Sequence, residues 1–137
     1  VSDYYNHRIR KIDAGGLLVT IAGVGRTLTL GDGGPATAAG LIYPTDIAID
    51  GAGNIFIFDG NGSGFRKRVR KVDAVSGIIT TIAGNDDQGY TGDGGRAEAA
   101  TVGLIHRLEL DHHGNLYLVG LFEIRVIKGV AVPVPRS

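Results

Sequence analysis

Five side chains able to bind a transition metal or exchange protons fall close together late in the sequence: His106, Glu109, Asp111, His112 and His113. Imidazoles and carboxylates ligate zinc and iron, and the same groups act as general acids and bases. Strand geometry limits their cooperation. His106 and Glu109 are an odd number of residues apart, so an extended backbone sends them to opposite faces. His112 and His113 occupy a hairpin tip bounded by Asp111, Gly114 and Asn115, where solvent is expected. Glu109, on an innermost strand, is therefore the candidate catalytic residue of an enzymatic reading, with its site at the mouth of a central channel. No nucleophile elbow, Walker loop or zinc-protease motif accompanies it, and the enzymatic reading ranks below a binding one.

A second set is acidic. Asp86, Asp87 and Asp93 share a glycine-rich loop, which raises calcium because that ion takes flexible oxygen ligands. The spacing is not that of an EF-hand. An earlier copy of the loop keeps Asp32 but has Val24 and Gly25 near the other two positions, so turn capping is favoured and no cofactor is expected. The third set is basic: His7, Arg8, Arg10 and Lys11, then Arg66, Lys67, Arg68, Arg70 and Lys71. Stacked at one repeat position, Arg8, Arg10, Arg68 and Arg70 are candidate ligand-binding residues that could track a phosphate backbone. Against nucleic acid stand the balance of 14 basic and 14 acidic residues and the lack of interleaved aromatics for base stacking. Pairing with Asp13, Asp46, Asp50, Asp59 and Asp73 is the favoured reading.

These residues are positioned by a repeat. Ile21-Ala22-Gly23 returns as Ile82-Ala83-Gly84, Gly31-Asp32-Gly33-Gly34 as Gly92-Asp93-Gly94-Gly95, and Asp50, Gly53 and Asn54 as Asp111, Gly114 and Asn115, always at a spacing of 61. Repeats of this length are supersecondary units that bury their apolar faces on stacked neighbours. Within one unit, Thr45 to Asp50 alternate with period 2, and Gly51-Ala52-Gly53-Asn54 turns the chain. Ile55 to Phe58 then form an apolar run suited to a strand covered on both faces. A looser turn over Asp59 to Gly64, a basic strand to Asp73 and a strand at Ile78 to Ile82 complete a four-stranded meander, one propeller blade. The connection from Asn85 to Thr101 is expected to hold one short helical turn, with Asp93, or Asp32 in the other copy, capping its start.

The register divides the chain into a partial blade over 1–22, a complete blade over 43–84, a partial blade over 104–128 and a tail over 129–137, ending in prolines that cannot donate to a ladder. Twenty-three glycines, four phenylalanines and no tryptophan suit short strands and tight turns, and no cysteine is present for a disulfide. No apolar run approaches the ~18 residues of a membrane helix, so membrane insertion is not expected. A closed propeller of four to eight blades at this period needs roughly 240 to 490 residues. The end blades are therefore expected to be covered by the remaining blades of a longer chain or by copies of this one associated head to tail.

Asn6 to Asp13, Gly31 to Ala39, Tyr43-Pro44-Thr45 and Gly53 to Ile57 together resemble the bacterial NHL-repeat family. The resemblance covers nearly all of residues 1 to 120. It implies an all-β fold of four-stranded antiparallel blades, here about two to two and a half blades of a six-bladed ring. It also implies binding of protein, carbohydrate or RNA, metal-dependent lyase or hydrolase chemistry in some relatives, and an exported protein. The departures are Phe65-Arg66-Lys67 in place of the Asn-His motif, Ile105-His106-Arg107 in place of Pro44-Thr45-Asp46, and Leu121-Phe122-Glu123 in the last repeat. On these grounds the chain is read as a binding or scaffolding module for protein or carbohydrate, with a propeller enzyme and an RNA binder as alternatives.

Overall fold

A computed structural model describes residues 1–60, 66–87 and 89–135; the turn expected over residues 61–64, and Phe65, lie outside the described residues. Among the described residues ten strands run in order: β1 Ser2–Asp3, β2 Arg8–Ile12, β3 Leu18–Ala22, β4 Pro44–Ile49, β5 Ile55–Asp59, β6 Arg68–Val72, β7 Ile79–Ala83, β8 Ile105–Leu110, β9 Leu116–Gly120 and β10 Ile124–Ile127. They form three antiparallel meanders, β1-β2-β3, β4-β5-β6-β7 and β8-β9-β10, which are consecutive propeller blades. The repeat is visible in the ladders. Arg10 pairs with Thr20 as Arg70 pairs with Thr81, and Ile57 pairs with Arg70 as Leu118 pairs with Arg125. Arg10, Arg70 and Arg125 thus occupy one position in successive blades.

The hydrophobic core lies between blades, which is why β5 of the complete blade is apolar on both faces. Phe56 and Phe58 project one way, joining Val69, Val102, Ile105, Leu108, Leu116 and Leu118. Ile57 projects the other way, into a cluster with Ile9, Ala22, Ala36, Ala39, Leu41, Val72 and Ile79. Strand alternation therefore stitches the second blade to both of its neighbours. Hairpin tips are closed by carboxylates. Asp50 accepts from the backbone N–H groups of Ala52 and Asn54 at 3.0 and 2.9 Å, and Asp111 does the same for His113 and Asn115 at 2.8 and 2.9 Å. These bonds, led by that from the Asn115 backbone, lower the Asp111 carboxyl to about 2. The final segment crosses those tips: Val132 N–H donates to Asp50 and its carbonyl accepts from Gly51 N–H, both at 2.9 Å.

The connectors depart from expectation. Each holds a single 3-10 turn, Ala36–Ala38 or Ala97–Ala99, but neither has a side-chain cap. Backbone groups already serve that region: Ala36 N–H donates to Gly77 O at 2.9 Å and Gly33 N–H to Ile79 O at 2.8 Å. Asp32 and Asp93 are turned instead toward arginines of the following blade, where both partners of the bond are charged. The connector closes on itself so tightly that a Cβ on Gly31 would sit 2.8 Å from Ala39 Cα, and one on Gly92 2.7 Å from Ala100 Cα. Both glycines also have positive φ, +76° and +99°, so the position has two separate reasons to exclude a side chain.

Leu41 ends the first connector fully buried between the first two blades. Leu41→Ala is expected to destabilise the chain by about 2–5 kcal/mol through lost burial and the cavity left behind. Urea unfolding checks this as a lowered midpoint with little change in slope.

Candidate functional site

The basic strands are bound into the blade interfaces. The Arg70 side chain is fully buried. One guanidinium nitrogen donates to Gly40 O at 2.8 Å and Asp59 at 3.2 Å; the other donates to Leu30 O and Asp32, both at 2.7 Å. Arg70 therefore staples both ends of the loop that arrives from the preceding blade. Arg66 adds contacts to Gly40 O and Leu28 O, each at 2.9 Å, and to Asp59 at 3.4 Å. Burial pushes the Asp59 carboxyl up, while Ile42 N–H at 2.6 Å, Arg66 and Arg70 pull against it. Thr81 completes the group by donating to the second oxygen of Asp32 at 2.5 Å.

Arg125 reproduces the arrangement one blade on. It donates to Thr91 O at 3.0 Å, Thr101 O at 2.6 Å and Asp93 at 2.9 Å. Thr91 and Thr101 are the counterparts of Leu30 and Gly40 at the 61-residue spacing.

The remaining candidates are dispersed. Arg68 makes a two-pronged pair with Asp86 at 2.7 and 2.8 Å. Burial opposes ionisation of Asp86, but the bond and charge of Arg68 hold its carboxyl below the usual range. Asp87 is exposed, and Asp93 is bound to Arg125, so the three aspartates of the calcium reading are not gathered. Arg8 donates to Asn6 O at 3.0 Å and Val24 O at 3.1 Å, while Arg10 lies 3.5 Å from Asp3. Glu109 lines a groove of about 440 Å³ between β4 and β8, and pairs with Arg107 on its own strand. His106, His112 and His113 are exposed. Among the described residues no three His, Asp or Glu side chains converge to hold a metal.

A cluster that the sequence reading did not assemble joins the first two blades, although His7 and Tyr43 fall in stretches that carry the family resemblance. Tyr4 packs on Tyr5 and Tyr43 with ring centroids 5.0 and 4.9 Å apart, and His7 packs on Tyr43 at 4.5 Å. His7 accepts the Tyr43 N–H at 3.0 Å, so its Nδ1 is unprotonated. Burial, then the charge of Arg26, lowers its pKa. A groove of about 440 Å³ adjoins it, lined by Arg26, Thr27, Leu28, Ile42 and Tyr43. The motifs do not show the contact, since its residues come from segments almost 40 positions apart.

These blades define a β-propeller architecture, and comparison with known proteins gives it a family. Residues 24–89 match the family model of the Teneurin NHL domain. Teneurin-3 of Danio rerio is 46% identical over 57 residues, a stretch that covers 42% of this chain and 2% of that protein. Among solved structures, a structural-genomics protein of unknown function from Bacteroides thetaiotaomicron VPI-5482 superposes with a TM-score of 0.72 at 26% identity, over 85% of this chain and 28% of its own. Together the matches support an NHL-repeat family for the chain. The chain spans only a small part of either relative's length.

Two outcomes follow. Arg70→Ala strands a buried carboxylate and two connector carbonyls, and is expected to cost about 3–5 kcal/mol in urea unfolding. Arg70→Lys recovers only part of that, because an ammonium lacks the planar fork that spans four acceptors. For His7, the neutral form is favoured in the fold, so its contribution is fully present above the unfolded value of 6.5 and is lost as pH falls through the lowered folded value. Melting temperature followed from pH 8 to 5 should fall for the parent chain and fall less steeply for His7→Gln.

Proposed function

We propose that this NHL-repeat module is a non-enzymatic binding or scaffolding surface for protein or carbohydrate partners, within an assembly completed by further blades into a six-bladed ring. The observation that carries this reading is the division of labour among side chains. The groups suited to chemistry are largely engaged in ties within and between blades, whereas tyrosines stand at the surface beside an open groove. Tyr5 is largely exposed, and Tyr4, Tyr43 and His7 back it. Tyrosine offers a rigid apolar face with a polar tip, a combination that suits both protein interfaces and the faces of sugar rings. Nucleic acid is disfavoured because Arg70 is fully buried and Arg66 and Arg68 are paired with carboxylates. Export from the cytoplasm belongs to the same proposal and is supported by family resemblance.

The reading is tested by screening the chain against arrays of glycans and of protein ectodomains. At least one ligand is expected whose binding weakens about tenfold in Tyr5→Ala, the effect of losing one aromatic contact. Turnover of ester, glycoside or uronide substrates that disappears in Glu109→Gln would overturn it. No metal is required under this proposal, so a chelator is expected to leave the melting temperature unchanged. A drop reversed by calcium would restore Asp86, Asp87 and Asp93 as ligands.

A further inference from the structure

The first blade carries a complete but unfilled copy of the receptor that Asp59, Arg70 and Thr81 form for a connector. The ladders make the equivalence explicit: Asp3 faces Arg8 as Asp59 faces Arg68, and Arg10 faces Thr20 as Arg70 faces Thr81. Asp3 and Arg10 stand 3.5 Å apart, close to the 3.2 Å between Asp59 and Arg70. In the second blade this trio is occupied by the loop from Leu30 to Gly40. In the first blade, among the described residues, Arg10 donates no side-chain hydrogen bond, and Asp3 accepts from Asn6 instead of from a connector N–H.

The apolar surroundings show the same vacancy. Val72 and Ile79 are 7% and 0% exposed, covered by the connector residues Ala36, Ala39 and Leu41. Their ladder counterparts Ile12 and Leu18 are 64% and 55% exposed. The connector also bonds the edge of β7 directly, Gly33 N–H to Ile79 O at 2.8 Å and Ile79 N–H to Gly34 O at 3.0 Å. An uncovered face is thus matched, group for group, by a covered one in the same molecule.

We propose that the β1–β3 face binds a Gly-Asp-Gly-Gly connector belonging to a separate NHL blade, with Arg10 taking two main-chain carbonyls and the aspartate, Thr20 the second aspartate oxygen, and Ile12 and Leu18 the small apolar residues that follow. A second copy of this chain is a poorer occupant, because both of its own connectors are already held by Arg70 and Arg125. The proposal rests on the chain being an NHL module, and it names the partner's chemistry at one face.

The test is NMR titration of the isotopically labelled full chain with a synthetic peptide spanning residues 28–42 of this sequence. Amide shifts are expected to concentrate in β2 and β3. Affinity is expected to fall about tenfold or more when the peptide carries Asp32→Asn or the chain carries Arg10→Gln, the loss of one charge-assisted contact. Thr20→Val supplies a second variant should Arg10→Gln fail to fold. Absence of shifts, shifts confined to the other blades, or affinity indifferent to Arg10 and Thr20 would overturn the proposal. So would dimerisation of the chain alone that Arg10→Gln abolishes, since a second copy would then be the occupant. Any of these results with ligand binding at Tyr5 intact would remove the connector receptor and leave the module reading standing.

Discussion

The guanidinium of Arg70 lies where no water can serve it, and the order of the first two blades depends on how it is satisfied. Taking an arginine and Asp59 out of solvent is costly, and their mutual attraction offsets that cost only when the remaining donors find acceptors. Here two carboxylates and two main-chain carbonyls converge on the two terminal nitrogens, which leaves the buried Nε as the one donor of this guanidinium without an acceptor among the described residues. The carbonyls belong to Leu30 and Gly40, so one planar group fixes both ends of a loop that would otherwise slide on an apolar surface. Hydrophobic packing of Ala36, Ala39 and Leu41 supplies non-directional attraction, and the ion cluster selects the register.

That constraint explains why the sequence pattern is so uneven. Glycines at 31 and 92 are needed because the stapled loop ends touch, and the aspartates at 32 and 93 because the incoming arginine needs a charged acceptor. A motif that looked like a capping device is part of the contact between blades. Its role was hidden because Asp32 and Arg70 are 38 positions apart and belong to different repeats. Local rules describe a turn well, but they do not see the partner delivered by tertiary structure.

Much of the fold was legible because it is written in period 2 and repeated. The strands at Ile55–Asp59 and Ile79–Ala83 follow from β-branched and aromatic runs between glycine turns, and the 61-residue spacing orders them. The expected pairing of basic strands with carboxylates names the right kind of interaction for Asp59 and Arg70. It does not foresee Asp32, Asp86 or the main-chain carbonyls, since those acceptors lie on connectors rather than at strand ends. The tyrosine cluster was the least legible feature. Tyr4 and Tyr5 stand in a segment that turns through His7 at φ 54°, and only that left-handed turn brings them to Tyr43.

The third blade shows what happens when one part of this scheme is altered. Asp46 accepts the backbone N–H of Leu108 at 2.7 Å and so ties the innermost strands of the second and third blades together. At the corresponding place the third blade has Arg107, a donor only, which turns to Glu109 on its own strand. A neighbour presenting a backbone N–H there would meet a guanidinium in place of the carboxylate. The two end blades are therefore unlike in chemistry: the first retains carboxylate, guanidinium and hydroxyl in the order that holds a connector, while the third presents an exposed, self-paired Arg107 and Glu109. Repeat proteins gain distinct surfaces in this way, by changing side chains while the strand pattern is kept.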